Sequence, residues 1–216
     1  MSRVAIDYLA REAHILFSII WIGALYYLIC AEDAYLKDTD PTYGSDEFST
    51  RVPGASRYLR YAALATFLTG GYMMATRHPR WTIDVAVGAS LGLLMLCNVW
   101  FITWPKQKTL TAHRRQSGRG SQMPAKVASA AARLAVASRT NLVLAIPTLI
   151  FMSASAHFPH GMVKNKLLAL EVALGIAVAI ELNAIFGKPG PMASSRGLAL
   201  TCLVVTAVLW AVVQNL

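Results

Sequence analysis

Apolar residues fall in long runs along this chain, and the charges collect in the short stretches between them. The first run goes from about His14 to Cys30 and extends as helix on both sides. A polar loop from Glu32 to Arg57 follows, with turn signals at Asp40-Pro41 and Pro53-Gly54. The next runs are Tyr58 to Thr76, then Ile83 to Trp104, the latter closed by Pro105. A basic, flexible stretch from Lys106 to Lys126 carries Gly118, Gly120 and Ser121. From Ala125 a helical pattern leads into a run from Leu142 to His157, where Pro147 introduces a kink and Pro159 ends the helix. The last two runs are Leu167 to Phe186 and Leu198 to Val213, separated by the helix-breaking GKPGP. About 20 residues of helix cross a ~30 Å hydrocarbon core. The pattern therefore predicts an all-α, polytopic membrane helix bundle of about six transmembrane helices. It forms a single integral membrane domain over residues 1–216, and no internal repeat stands out.

Composition agrees: 56% of residues are hydrophobic and 14% charged, with a mean hydropathy of +0.47. A soluble domain carries nearer a quarter charged residues. The N-terminal run follows Arg3 and Arg11 as a signal peptide would, but no small-residue cleavage site follows Cys30, so a retained helix is expected. The net charge of +9 comes mostly from one loop, which excludes a nucleic-acid reading and instead reports orientation. The loops after the first, third and fifth spans hold Arg51, Arg57, Arg60, Lys106, Lys108, Arg114, Arg115, Arg119, Lys126, Arg133 and Arg139. The other side holds Arg3, Arg11, Arg77, Arg80, Lys164 and Lys166. The positive-inside rule puts both termini on the periplasmic side of a bacterial inner membrane. Cys30, Cys97 and Cys202 lie singly in apolar runs, with no disulfide framework, C-x-x-C metal site or C-x-x-C-H attachment motif.

That orientation gathers four of the five histidines, His14, His78, His157 and His160, at one side. Neutral imidazole is a common metal ligand and a common axial ligand of haem iron. Two helices offering one histidine each at matching depth can clamp a cofactor in a bundle. His14 and His157 are the favoured pair and His78 the third candidate, whereas His160, after Pro159, is read as a surface residue. Ser18 and Trp21 share the helical face of His14, and Ser153 that of His157. Arg11, Arg77, Arg80, Lys164 and Lys166 are placed to meet propionates. Against this stands the ordinary role of histidine as an amphipathic interfacial residue. Glu171 and Glu181 lie inside the fifth span, where an ionisable group is costly and marks function by default. Glu171 is near the histidines' depth. Glu181 is deeper, near Asn183, and is a proton or polar relay, or the partner of an arginine such as Arg139. Trp21, Trp100 and Trp104 read as packing or interfacial-belt residues, and Gly70-Gly71 as a close helix contact. No nucleophile triad, P-loop, G-x-G-x-x-G or zinc-protease motif is present.

Several stretches resemble one family. HILFSIIWIGALYY from His14, NVWFITWPKQK from Asn98, SRTNLVLAIPTLIFMSASAHF from Ser138 and ELNAIFG from Glu181 are similar to the membrane domain of PuuD-type bacterial urate oxidases. The motifs keep their order and are spread along most of the chain, from His14 to Gly187. The resemblance implies a multi-helix membrane domain tied to an electron-transfer chain. In that family a cytochrome c domain follows the membrane part; here no c-type haem motif is present, so a separate cytochrome c or a larger complex is the expected partner. The opening H-x6-W-x-G also looks like the first helix of HemJ-type protoporphyrinogen oxidases and CopD-type copper proteins. The leading expectation is a haem b electron-transfer protein, a possible membrane oxidoreductase. The alternatives are an accessory subunit of a respiratory or photosynthetic complex and a metal or small-solute transporter.

Overall fold

The computed structural model describes residues 2–37, 44–77, 82–116, 124–161 and 163–216. Among them there is no strand. The helices are α1 (Arg3–Lys37), α2 (Gly44–Arg77), α3 (Ile83–Cys97), α4 (Trp104–Gln116), α5 (Ala125–His157), α6 (Lys166–Phe186) and α7 (Ser195–Asn215). A π-helical turn, Asn98–Thr103, joins α3 to α4, and a 3-10 turn, Gly190–Ala193, precedes α7. Among the described residues, five helical stretches are long and apolar enough to cross a membrane: α1, the α3–α4 rod, α5, α6 and α7. The protein is thus an all-α bundle of the multi-pass membrane type. The sixth expected span, Tyr58 to Thr76, lies in α2, which is long enough but less apolar.

The side chains are sorted as lipid demands. In α6 the buried positions are Ala169, Ala173, Ala177, Glu181 and Ala184, while Leu167, Leu168, Val178, Leu182, Ile185 and Phe186 are exposed. Small residues inside let backbones approach closely, and large apolar residues outside suit hydrocarbon, since lipid gives helices no hydrophobic reason to hide leucine. α5 is the central helix. It packs on α1, α3, α4, α6 and α7, and 67% of its most apolar stretch is buried, against 17–33% for the other four. α1 packs chiefly on α2.

Two prolines behave unlike the sequence expectation. Pro105 does not close the third span: the helix runs on through α4, over 31 residues from Ile83 to His113. A proline ring clashes with the carbonyl four residues before it. The wider π turn just upstream absorbs that clash, with the Trp104 amide donating to the Val99 carbonyl five residues back. The basic stretch expected to be flexible is therefore helical as far as Gln116, and residues 117–123 lie outside the described set. Pro53-Gly54 is likewise helical, inside α2, whereas Asp40-Pro41 lies outside the described residues. A proline retains helical φ and forfeits one hydrogen bond, which these helices sustain, as α5 does at Pro147.

Contacts between helices fix the directions. Tyr72 donates to Asp7, and His14 meets Thr66, so α1 and α2 are antiparallel. Asp84 meets His160, and Asn98 meets Ala137, so α3 and α5 are antiparallel. Arg133 of α5 donates to the carbonyls of Ile185 (2.6 Å) and Gly187 (3.4 Å), a cation capping the C-terminal end of α6. The Asn165 amide donates to the Leu216 carbonyl, which ties the start of α6 to the end of α7. The start of α1, the end of α7, and residues 158–161 and 163–165 therefore share one end of the bundle. At the other end, Arg60 lies over the rings of Trp104 (4.4 Å) and Trp100 (5.6 Å), Lys108 lies over Trp104 (4.1 Å), and Ser56 donates to Gln107.

Candidate functional site

His14 sits in the fourth turn of α1, half-buried against α2. Its Nδ1 lies 2.9 Å from the Thr66 carbonyl and 3.2 Å from the Thr69 hydroxyl. A carbonyl oxygen only accepts, so Nδ1 carries the proton and Nε2 holds the lone pair. The Thr69 hydroxyl spends its own proton on the Ala65 carbonyl (2.7 Å) and so accepts from His14. Gly70 makes this contact possible. A Cβ there would come within 2.9 Å of His14 Cε1 and 3.2 Å of Nδ1. The close contact expected of Gly70-Gly71 is thus realised at Gly70, against an imidazole. Ser18, one turn along, donates to the His14 carbonyl (2.6 Å). Trp21, on the same face two turns along, is 4% exposed and belongs to the core.

A second oriented histidine lies at the same end. His160 is buried, not a surface residue as its place after Pro159 suggested. Its side chain is 1% exposed and that of its partner Asp84 is 0% exposed. His160 Nδ1 donates to Asp84 Oδ1 at 2.5 Å, and the His160 backbone amide donates to Oδ2 at 3.1 Å. Both carboxylate oxygens are used, so Asp84 pins the 158–161 segment to the first turn of α3. The imidazole stacks on Phe151 (5.9 Å, 23°) and packs against Trp210 (4.1 Å). Its Nε2 is buried and finds no hydrogen-bond partner. The two-point hold on Asp84 and the packing against both aromatic rings make this pair a structural clamp first. Sequence reasoning missed Asp84 altogether. The available signal was an aspartate two residues after the Thr82 N-cap, in the first turn of an apolar helix.

The remaining expected residues are spread out. His157 is exposed on the last turn of α5, and Ser153, one turn before it, is exposed as well. No hydrogen bond or ring contact among the described residues joins His157 to His14. His78 and Arg80 lie outside the described residues. Arg11, Lys164 and Lys166 are exposed at this end of the bundle, and so is Glu171 on α6. Among the described residues no group of three or more His, Cys, Asp or Glu side chains converges as a metal site.

Deeper in the bundle lies a polar layer. Asn98 and Thr103 of the π turn, Arg139, Thr140 and Asn141 of α5, and Glu181 of α6 are all buried, between 0% and 9% exposed. The Thr103 hydroxyl donates to Asn98 Oδ1 (3.0 Å), which leaves the Asn98 amide nitrogen to donate to the Ala137 carbonyl (3.4 Å). Asn141 donates to the Met95 carbonyl (3.4 Å). Both Glu181 oxygens are buried without a well-formed hydrogen bond, so the expected pairing with Arg139 is not made as one. Comparison with protein-family models, with curated proteins and with solved structures gives no match for this chain.

Proposed function

We propose that this protein is a haem b-binding membrane protein of an electron-transfer chain, with His14 as an axial ligand. The observation that carries this reading is the state of the His14 ring: Nδ1–H is held by the Thr66 carbonyl, and Nε2 is left with its lone pair. Metal-ligating histidines are held in this way, with the second nitrogen donating to a carbonyl or carboxylate that fixes tautomer and ring plane. Among the described residues no hydrogen bond reaches His14 Nε2, and Gly70 lets the ring come close against α2. These residues fit a haem ligand. The iron would supply a one-electron redox centre. The chain's own part is to hold the ring, through Thr66, Thr69 and Gly70, and to offer cations at the same end, Arg11, Lys164 and Lys166, to carboxylates. His157, exposed at that end, is the candidate second ligand, and His78 the third. The resemblance to the membrane domain of PuuD-type urate oxidases supports the same reading. With it goes a bacterial inner-membrane location, both termini periplasmic, and a cytochrome c or larger complex as electron acceptor.

The test is optical. Purified protein is expected to show a Soret band that shifts on dithionite reduction and is lost in His14→Ala. A colourless, metal-free wild-type preparation overturns the proposal.

A further inference from the structure

We propose that Glu181 is a proton-binding site within the bundle, held as the neutral carboxylic acid between the π turn, α5 and α6. It does not rest on haem at His14; a colourless protein leaves it standing. Position is the first observation. The inward stripe of α6 runs Ala169, Ala173, Ala177, Glu181, Ala184, and its alanines are 0–1% exposed. One carboxyl replaces a methyl group in an otherwise dry seam. Isolation is the second. Oε1 and Oε2 are both buried, no well-formed hydrogen bond reaches them, and the polar group beside them is the Asn98 amide. A bare carboxylate in a low-dielectric interior pays the full cost of lost hydration, whereas the neutral acid avoids most of it.

Burial favours the acid form, and the one neighbour that works against it is the Asn98 amide. On the π turn, the Asn98 amide is the polar neighbour of the carboxyl. Thr103 occupies Asn98 Oδ1, so the amide presents its donor side, and that single donor, shared with the Ala137 carbonyl, is all that stands against the cost of burying a carboxylate. On α5, Arg133 is spent on the carbonyls at the end of α6, and Arg139, which is buried and has contacts of its own, donates no hydrogen bond to Glu181. On α3, Asp84 lies at the far end, bound to His160. On α7, the inward side chains are Leu198, Cys202, Thr206, Leu209 and Val213, and the Cys202 thiol faces the Leu142 carbonyl (3.7 Å). Around the level where Asn98 meets Ala137, α5 carries two more buried oxygens without partners, Thr140 Oγ1 and Asn141 Oδ1. Unpartnered oxygens in such a layer give a proton or a water somewhere to go.

Infrared spectroscopy of the whole protein tests this. The wild-type minus Glu181→Gln difference spectrum at neutral pH is expected to show a carboxylic-acid C=O band that moves down in heavy water. Carboxylate bands in its place overturn the proposal. Should Glu181→Gln fail to fold, wild-type protein alone suffices. Dicyclohexylcarbodiimide attacks protonated carboxyls in apolar surroundings, and the adduct is read by mass on the peptide carrying Glu181. Labelling is expected at Glu181 and not at the exposed Glu171, falling about tenfold per pH unit above its midpoint. Absence of the Glu181 adduct in that experiment counts against the site.

Discussion

His14 and His160 are both held through Nδ1, one by a backbone carbonyl and one by a carboxylate, and the difference decides what each can do. The neutral carbonyl leaves His14 Nε2 as an ordinary lone pair on a half-buried ring. The carboxylate makes His160 part of a charge-assisted clamp enclosed by Phe151 and Trp210. Gly70→Ala should push the His14 ring off its Thr66 bond and cost about 1–3 kcal/mol, an overpacking cost. Thermal stability in detergent measures it, and any bound haem should fall with it. Removing one side of the clamp, by Asp84→Ala or His160→Ala, should cost about 3–5 kcal/mol each. The double variant should cost far less than their sum, a coupling that a double-mutant cycle reads; additive losses would deny the clamp. At this scale the sequence was half legible. The H-x6-W-x-G pattern pointed to His14 without showing its partner. The clamp joins residues 76 positions apart, and no periodicity marks such a pair.

The helices themselves were easier to read, because each apolar run lies inside one helical stretch, although the helix boundaries run on into polar sequence, as α2 does from Gly44 and α4 as far as Gln116. The alanine stripe of α6 was on view at i, i+4 spacing, and it is what turns Glu181 inward. Ala173→Leu should therefore disrupt packing against α3 and α5, while Val178→Leu on the lipid face should be tolerated. The expected cost is about 1–3 kcal/mol for the first and under about 1 kcal/mol for the second. The fraction surviving as a monodisperse peak after heating is the measurement; equal losses would contradict the assigned faces. Pro105 shows where single-residue signals mislead. A proline ends a regular α-helix, but a π turn placed just before it lets the rod continue. Nothing in the local composition announces that turn.

Across the whole molecule, alternating directions bring the start of α1, the end of α7, His14, His157 and the Asp84–His160 clamp to one end of the bundle. Arg60 and Lys108 gather on Trp100 and Trp104 at the other. Reporter fusions at the N- and C-termini should therefore give the same sidedness, and a reporter within residues 117–123 the opposite one. Termini on different sides would undo the alternation. That arrangement within the bundle was legible from the number of apolar runs, even though α2 is less apolar than its neighbours.

The account turns on whether the free nitrogen of His14 binds iron. Haem content per chain, measured by pyridine haemochromogen on wild type, His14→Ala and His157→Ala purified side by side, tests this most directly. The prediction is stoichiometric haem b in the wild type and none in His14→Ala, with the His157→Ala result showing whether α5 supplies the second ligand. Haem-free wild-type protein, or undiminished haem in His14→Ala, would contradict it.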